Sequence, residues 1–560
     1  MDLLGKGMDP EFWKEVREKE CFENYRDELH FLWKKHCENI PIYSLKYSDF
    51  RLFVANGNRS IYESAYFTRR QALNCSALLA LIYPEEEKYI VRLMDEIYAI
   101  CDEYTWCLPA HQPNRDINDN CHIDLFAAET GFTLSEIYTL LGNRLEPLIR
   151  DRIRVEIDRR IIIPFTTFKG DYGGWENKNT NWTAVCMGSV AGAVMHMHPE
   201  TVESLLPRFT SSIDNYLTGF NDDGMCMEGC GYWHYGFGFF TVYADLIKRF
   251  TGGRVDYFKL PKVRTVATFI QKMFLSGKAC VSFADGNREL TYHLGLVHYL
   301  KKLYPDDVVV YSPSYSYNYD GCGRFCLHLR SALWFDEDIY NHPADDNIAA
   351  EYYAPQSEWF VKRTANYGFA AKGGCNAEMH NHNDVGTFIF AKNGHQIIAD
   401  LGRGTYTRQY FAADTRYGIL ECSSRGHNVP IIGGTYQYFS KDAKAVGTKY
   451  ENGIFSFDFA DAYKADGLRS IRRSFAFTDD GVTMTDSFVY NGGGVISERL
   501  VTLFEPELLD GCIKIDEATV TFDKDICDVE ITVEPHGGKN CYLINFNLKP
   551  DIRAFEIAIK

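Results

Sequence analysis

No run of about eighteen apolar residues occurs anywhere in the chain, which argues against a membrane-spanning helix. Residues Met1 to Lys14 hold no basic segment followed by an apolar run, so the sequence as given reads as cytoplasmic; a chain trimmed of a secretion signal would begin the same way. No Cys-x-x-Cys pair appears among the 17 cysteines, and their spacing follows no disulfide framework, so reduced and mostly buried thiols are expected. Positive charge is in deficit: 59 Lys and Arg stand against 76 Asp and Glu, a formal net charge of -17. That balance disfavours nonspecific nucleic-acid binding, and an anionic ligand would need a local basic cleft. Aromatic residues, by contrast, are plentiful, with 36 Tyr, 38 Phe and 8 Trp. They supply core packing and also faces on which sugar rings can stack. At 560 residues the chain exceeds one ordinary core, so two large packed units are expected.

Up to about Leu303 the apolar residues recur at three and four places, as in Ala72 to Ile82, Val91 to Cys101 and Phe239 to Phe250, with Pro and Gly at the junctions. Helices with short links predict an α/α toroid or solenoid, although no sequence repeat is legible. Beyond about Asp320 the pattern turns to short strand-like runs such as Thr387 to Ala391, Ser474 to Phe477, Val482 to Val489 and Ala518 to Phe522. Asn393-Gly394 and Asp479-Asp480-Gly481 are turn signals between such runs. The predicted fold is therefore α+β: an N-terminal incomplete α/α toroid over residues 1–325, then an antiparallel β-sandwich over 326–560.

Three clusters carry chemistry. The densest is Glu378-Met379-His380-Asn381-His382-Asn383-Asp384, in which an extended chain would point His380, His382 and Asp384 to one side. With Asp400 and His427 downstream, two histidines and a carboxylate can hold a tetrahedral divalent metal. Spacing alone leaves Asp384 and Asp400 open as the carboxylate. The second cluster, Gly173 to Trp182, places Asn181 and Trp182 before the apolar helix Thr183 to Met195. It offers amide donors and a stacking face, or simply a helix cap. The third runs from Asp222 to Gly236, with Gly229 and Gly231 allowing close backbone approach just before Tyr232.

In succession these segments resemble the heparinase II/III polysaccharide lyases, which include related alginate lyases. The likeness rests on Asn181-Trp182 opening a helix, Glu228-Gly229-Cys230-Gly231-Tyr232, His380-x-His382-x-Asp384-x-Gly386, Asp400 to Tyr406, and Arg425-Gly426-His427. The resemblance implies a substrate cleft between toroid and sandwich and a mainly structural metal, zinc or manganese, on His382, Asp400 and His427. It also implies Tyr232 and His380 as catalytic residues and Asn181 as the donor to a uronate carboxylate. Some relatives carry histidine where this chain has Asn181, and an asparagine cannot act as a base.

The implied reaction is β-elimination on a uronic-acid glycan: the C5 proton leaves, the C4 oxygen departs, and an unsaturated uronate remains. Tyr232 is the expected acid, and either His380 or Tyr232 the base; if they flank the sugar from opposite faces, two uronate epimers can be processed. Tyr406, Tyr410 and Trp182 are expected along the cleft, Arg403, Arg408, Arg416 and Arg425 as its positive field, and Trp106, His111, Gln112 and Arg115 at its nonreducing end. The partner is an anionic oligo- or polysaccharide, with no nucleic acid and no membrane, and a homodimer remains open. The choice among heparan sulfate, chondroitin, hyaluronan and alginate is not written in these residues. The rivals are a glycoside hydrolase using Asp223 and Glu228 with water, and a noncatalytic glycan-binding protein.

Overall fold

The computed structural model describes residues 2–112, 121–167, 174–289, 291–311, 315–316, 321–345 and 348–560. Helices occupy the first part wherever apolar residues recur with helical spacing; the long ones are Glu23–His36, Ser60–Ile82, Glu87–Cys101, Leu125–Leu141, Asn181–Met197, Val202–Leu217 and Gly238–Phe250. Asn181–Met197 is apolar on every face, a pattern that only a fully surrounded helix can satisfy. It packs against Leu125–Leu141, Val202–Leu217 and Gly238–Phe250 in the middle of an incomplete α/α toroid. No described helix is long and apolar enough to cross a membrane.

Helical packing runs past residue 325. Phe325–Leu333 lies against Leu294–Leu303 and Gly238–Phe250, and the short helix Glu337–Asn341 follows before the first sandwich strand, Ala350–Ala354. The strand-like pattern beyond about Asp320 placed the change at 325/326, but Phe325, Leu329 and Ala332 are buried in the helical core and keep that helix there.

The remainder is an antiparallel β-sandwich. One layer joins a five-stranded sheet, made of Ala350–Ala354, Trp359–Arg363, Gly368–Lys372, Phe388–Lys392 and His395–Ile398, to a four-stranded sheet through Ala399 N–H donating to Val501 O at 2.8 Å. The other layer has eight strands, with Leu468–Phe477, Val482–Tyr490 and Ala554–Ile559 at its centre. Alternation drives one face of each sheet inward. Phe360 thus meets Phe455 at 5.3 Å and Phe369 meets Phe475 at 5.0 Å between ring centroids. Asn393 and Gly394, both at positive φ, make the tight turn between two strands of the five-stranded sheet.

Several contacts tie the halves together. The Asp223 carboxylate accepts from Gln356 N, Ser357 N and Ser357 Oγ at 2.8–3.0 Å. A hairpin, Phe274–Ser276 with Ala279–Cys280, lies on the five-stranded sheet and sends the following loop along the sandwich, where Ser282 Oγ donates to Asp400 O at 3.1 Å.

Candidate active site

That loop places Asp285, fully buried in its side chain, at the meeting of both halves. Its Oδ2 accepts from His380 Nδ1–H at 2.6 Å and from Tyr406 O–H at 3.0 Å. Its Oδ1 accepts from His382 Nε2–H at 3.1 Å and from the Tyr410 hydroxyl, with Arg416 Nη2 at 3.5 Å. Burial alone would push this carboxyl up, but the His380 and His382 bonds hold it well below the usual carboxylate range. Asp285 is therefore an anion. Two residues beside this contact have unusual backbones: Ala284 and His380 sit at φ 58° and 52°, a region that L-residues enter at a cost of about 1–3 kcal/mol.

His380 Nδ1 faces Asp285, so Nε2 is the nitrogen left toward the cavity, 3.5 Å from Glu228 Oε2. Burial lowers the His380 pKa, yet Asp285 and Glu228 outweigh it and the net shift is upward. Tyr232 lies directly alongside, its ring 4.2 Å from the His380 ring and tilted by 31°. Its hydroxyl is 2.9 Å from that of Tyr406, which already donates to Asp285. Burial and the neighbouring Tyr406 and Asp285 raise the Tyr232 pKa well above that of a free phenol, so the group is held protonated.

Asn181 sits in the first turn of its helix with its amide turned to Glu228, donating from Nδ2 to Oε2 at 2.8 Å. Thr180, at the N-cap position, makes no side-chain cap bond, so helix capping does not account for Asn181. Gly236 is required here: a Cβ at that position would stand 1.8 Å from Asn181 Oδ1. Glu228 is buried, which raises its pKa. Asn181, Trp182, Glu228, Tyr232, Asp285 and His380 share one cavity of about 920 Å³. His111, bonded through Nδ1 to Asp124 at 2.8 Å, opens onto the same space.

Among the described residues the cavity lining is mixed in charge, not the basic cleft expected from sequence. Arg59, Arg324, Arg403 and Arg408 line it, but so do Glu63, Glu228, Asp285 and Glu289. Arg59 is moreover paired with Glu63 at 2.6 Å.

Behind His380 lies a buried group that fits a metal. Ligand atoms of His382, Asp400 and His427 lie within 4.8 Å of one another, and His382 Nδ1 is a buried nitrogen with no hydrogen-bond partner. The other ring nitrogens are already oriented: His382 Nε2–H toward Asp285 and His427 Nε2–H toward Glu421 O at 2.8 Å. Metal-ligating histidines typically present one nitrogen to the ion and hold the other on an acceptor in this way. Asp384 does not compete as a ligand, because it pairs with the buried Lys372 at 2.8 Å.

Several expectations need correction. Residues 378–386 form a turn instead of an extended strand, so His380 and His382 reach the two oxygens of one carboxylate while Asp384 points elsewhere. Tyr232 and His380 do not flank a sugar from opposite faces, since rings 4.2 Å apart leave no room between them. Trp106 is 1% exposed, its indole N–H donating to Ile100 O at 2.9 Å under the Arg160 guanidinium, and is a core residue. Arg425 does not line the cavity, and Tyr410 and Arg416 act from behind, Tyr410 on Asp285 and Arg416 on the carbonyls of His380 and Asn381. Arg115 lies outside the described residues. Asp285 was missed: Phe283-Ala284-Asp285-Gly286-Asn287 looks like a surface turn, and only its positive-φ alanine departs from one.

No protein-family model matches the sequence, and no curated protein matches it either. Solved structures do resemble it. A mutant of heparan sulfate lyase HepC from Pedobacter heparinus superposes with a TM-score of 0.61 at 11% identity, over 99% of this chain and 86% of that one. A heparinase III gives 0.60 at 14% identity, over 98% and 91%. The chondroitin AC lyase of Streptomyces coelicolor A3, solved with chondroitin sulphate, gives 0.55 at 10% identity, over 98% and 82%. This chain has the heparinase-like polysaccharide lyase fold. At such identities the heparinase-like likeness concerns architecture, and the chemistry rests on the geometry above.

Proposed function

We propose that the protein is a polysaccharide lyase that cleaves uronic-acid glycans, glycosaminoglycan chains or their oligosaccharides, by β-elimination. The observation that carries this reading is the Tyr232–His380 pair beside Asn181 in one cavity, with Asp285 holding the imidazole. Asn181 neutralises the sugar carboxylate, which lets charge build toward an enolate; one such donor contributes about 3 kcal/mol. His380 Nε2 takes the C5 proton. The Tyr232 phenol, raised in pKa and therefore protonated, delivers a proton to the departing C4 oxygen.

Because base and acid occupy one wall, proton and leaving group depart from the same face. That stereochemistry suits glucuronate and mannuronate, in which the C5 hydrogen and C4 oxygen are on one side of the ring, and disfavours their C5 epimers. A divalent cation, zinc or manganese, on His382, Asp400 and His427 would steady the wall behind His380. Hydrolysis by Asp223 and Glu228 is not supported, since Asp223 is committed to Gln356 and Ser357. The test is a panel of heparan sulfate, chondroitin, hyaluronan and alginate read by ultraviolet absorbance of the new double bond. Wild type should produce it, and Tyr232→Phe should lose at least about 100-fold in kcat. Release of saturated products alone would overturn the reading.

A further inference from the structure

Resting on that reading, we infer that the enzyme acts on chain ends, admitting its glycan endwise instead of seizing it along its length. The observation is a bridge across the cleft. Segment 53–59 of the helical half meets loop 403–412 of the sandwich half, and residues from both sides of the contact line the cavity that holds Tyr232 and His380. Arg408 Nη2 donates to the carbonyls of Phe53 and Val54, the latter at 2.9 Å, and its guanidinium covers the Phe53 ring at 5.2 Å. Arg408 N–H also donates to Gly57 O at 3.4 Å. Gly57 is needed for the approach: it has φ 82°, and a Cβ there would stand 3.0 Å from Arg408 Cβ. Arg59 adds a second crossing, its guanidinium 5.7 Å from the Phe411 ring centroid.

The bridge is close to the chemistry. Tyr406, two residues before Arg408, bonds to Tyr232 and Asp285, and Phe411 packs against the Tyr406 ring at 4.8 Å. A polymer cut internally must lie in a groove open along its length and at both ends. A groove spanned by backbone-anchored contacts beside the reacting groups admits a chain only by threading a terminus. The cavity volume, about 920 Å³, lies within the range of sites for small ligands, roughly 300–1,000 Å³, and fits a few sugar rings. Among the described residues its lining mixes arginines with carboxylates and shows no continuous positive track that would hold a long polyanion.

The experiment digests size-defined hyaluronan, chondroitin and heparan sulfate polymers with the full-length protein. Ultraviolet absorbance counts bonds cut, while viscosity and size-exclusion chromatography report chain length. End-wise action gives the smallest unsaturated product from the first turnovers, with the modal polymer size nearly unchanged when a tenth of the bonds are cut. A collapse of polymer size at that stage, with mid-length products, overturns the inference while leaving the lyase reading intact. Absence of unsaturated product from every polymer and oligomer overturns both. In Phe53→Ala/Arg408→Ala, which opens the bridge, the share of mid-length products should rise several-fold. An unchanged product distribution in a folded double variant also counts against the inference.

Discussion

Replacing Asp285 by asparagine should disable the chemistry while leaving the cleft in place. Its two oxygens accept from His380, His382, Tyr406 and Tyr410, and charge-assisted bonds of this type contribute about 1.5–3 kcal/mol each. An amide keeps one oxygen and turns an NH2 group toward the other donors. If that NH2 faces His380, Nδ1 must become an acceptor, the proton moves to Nε2, and the nitrogen aimed at the sugar can no longer take one. The same carboxylate-to-amide change behind a catalytic imidazole in a serine protease lowers kcat about 10⁴-fold. The expectation here is a fall in kcat of about 10³-fold or more, equivalent to roughly 4 kcal/mol of barrier. KM should move only a few-fold, because Asn181 and Trp182 are untouched. The assay is initial-rate ultraviolet absorbance on a cleaved oligosaccharide, paired with thermal unfolding and metal content. A folded Asp285→Asn protein with normal metal content and kcat within threefold of wild type would refute the role given to Asp285.

Three further outcomes follow from the same geometry. Asn181→Ala should lose about 10²–10³ in kcat, and Asn181→Asp should be worse, since it sets a second carboxylate against buried Glu228; equal rates for the two would remove the neutralisation argument. Because Asp285 and Glu228 favour the imidazolium form of His380, the base is freed only as pH rises through its elevated pKa, so kcat should climb on a limb above the ordinary histidine value of about 6.5; a limb below that value contradicts His380 as base. Chelation, or His427→Ala, should release one divalent ion per chain and lower stability by up to about 4 kcal/mol at a thousandfold excess of metal over Kd, seen as a lower unfolding temperature; a protein with no bound ion and no response to chelator would dismiss the site.

Much of the architecture was legible from periodicity. The helix Asn181–Met197 follows from its unbroken apolar run, and the strands Phe388–Lys392 and Ala518–Phe522 lie within a residue of where alternation put them. Clusters of unusual residue types drew notice to His380, His382, Tyr232 and Asn181 for the same reason. Where the reading failed, the deciding contacts were distant in sequence. Trp106 in a Pro-punctuated loop resembles a sugar platform until Ile100 and Arg160 are seen to enclose it. Asp384 shares a spacing with His382 but not a direction, because a turn and the buried Lys372 intervene.

Asp285 shows why such a residue escapes pattern reading and why it matters. Its loop leaves the hairpin that lies on the sandwich, yet among the described residues every donor to its carboxylate comes from residues 380–416. Burying an unpartnered carboxylate costs several kcal/mol, so the loop can seat only when the His380 turn and the Tyr406 loop are both in position. The contact that registers one half on the other is thus the contact that fixes the His380 tautomer and, through Tyr406, the Tyr232 hydroxyl. A mutation that misplaces the halves by an ångström should therefore appear first as lost turnover and only later as lost fold, because hydrogen-bond geometry degrades over shorter distances than hydrophobic burial does.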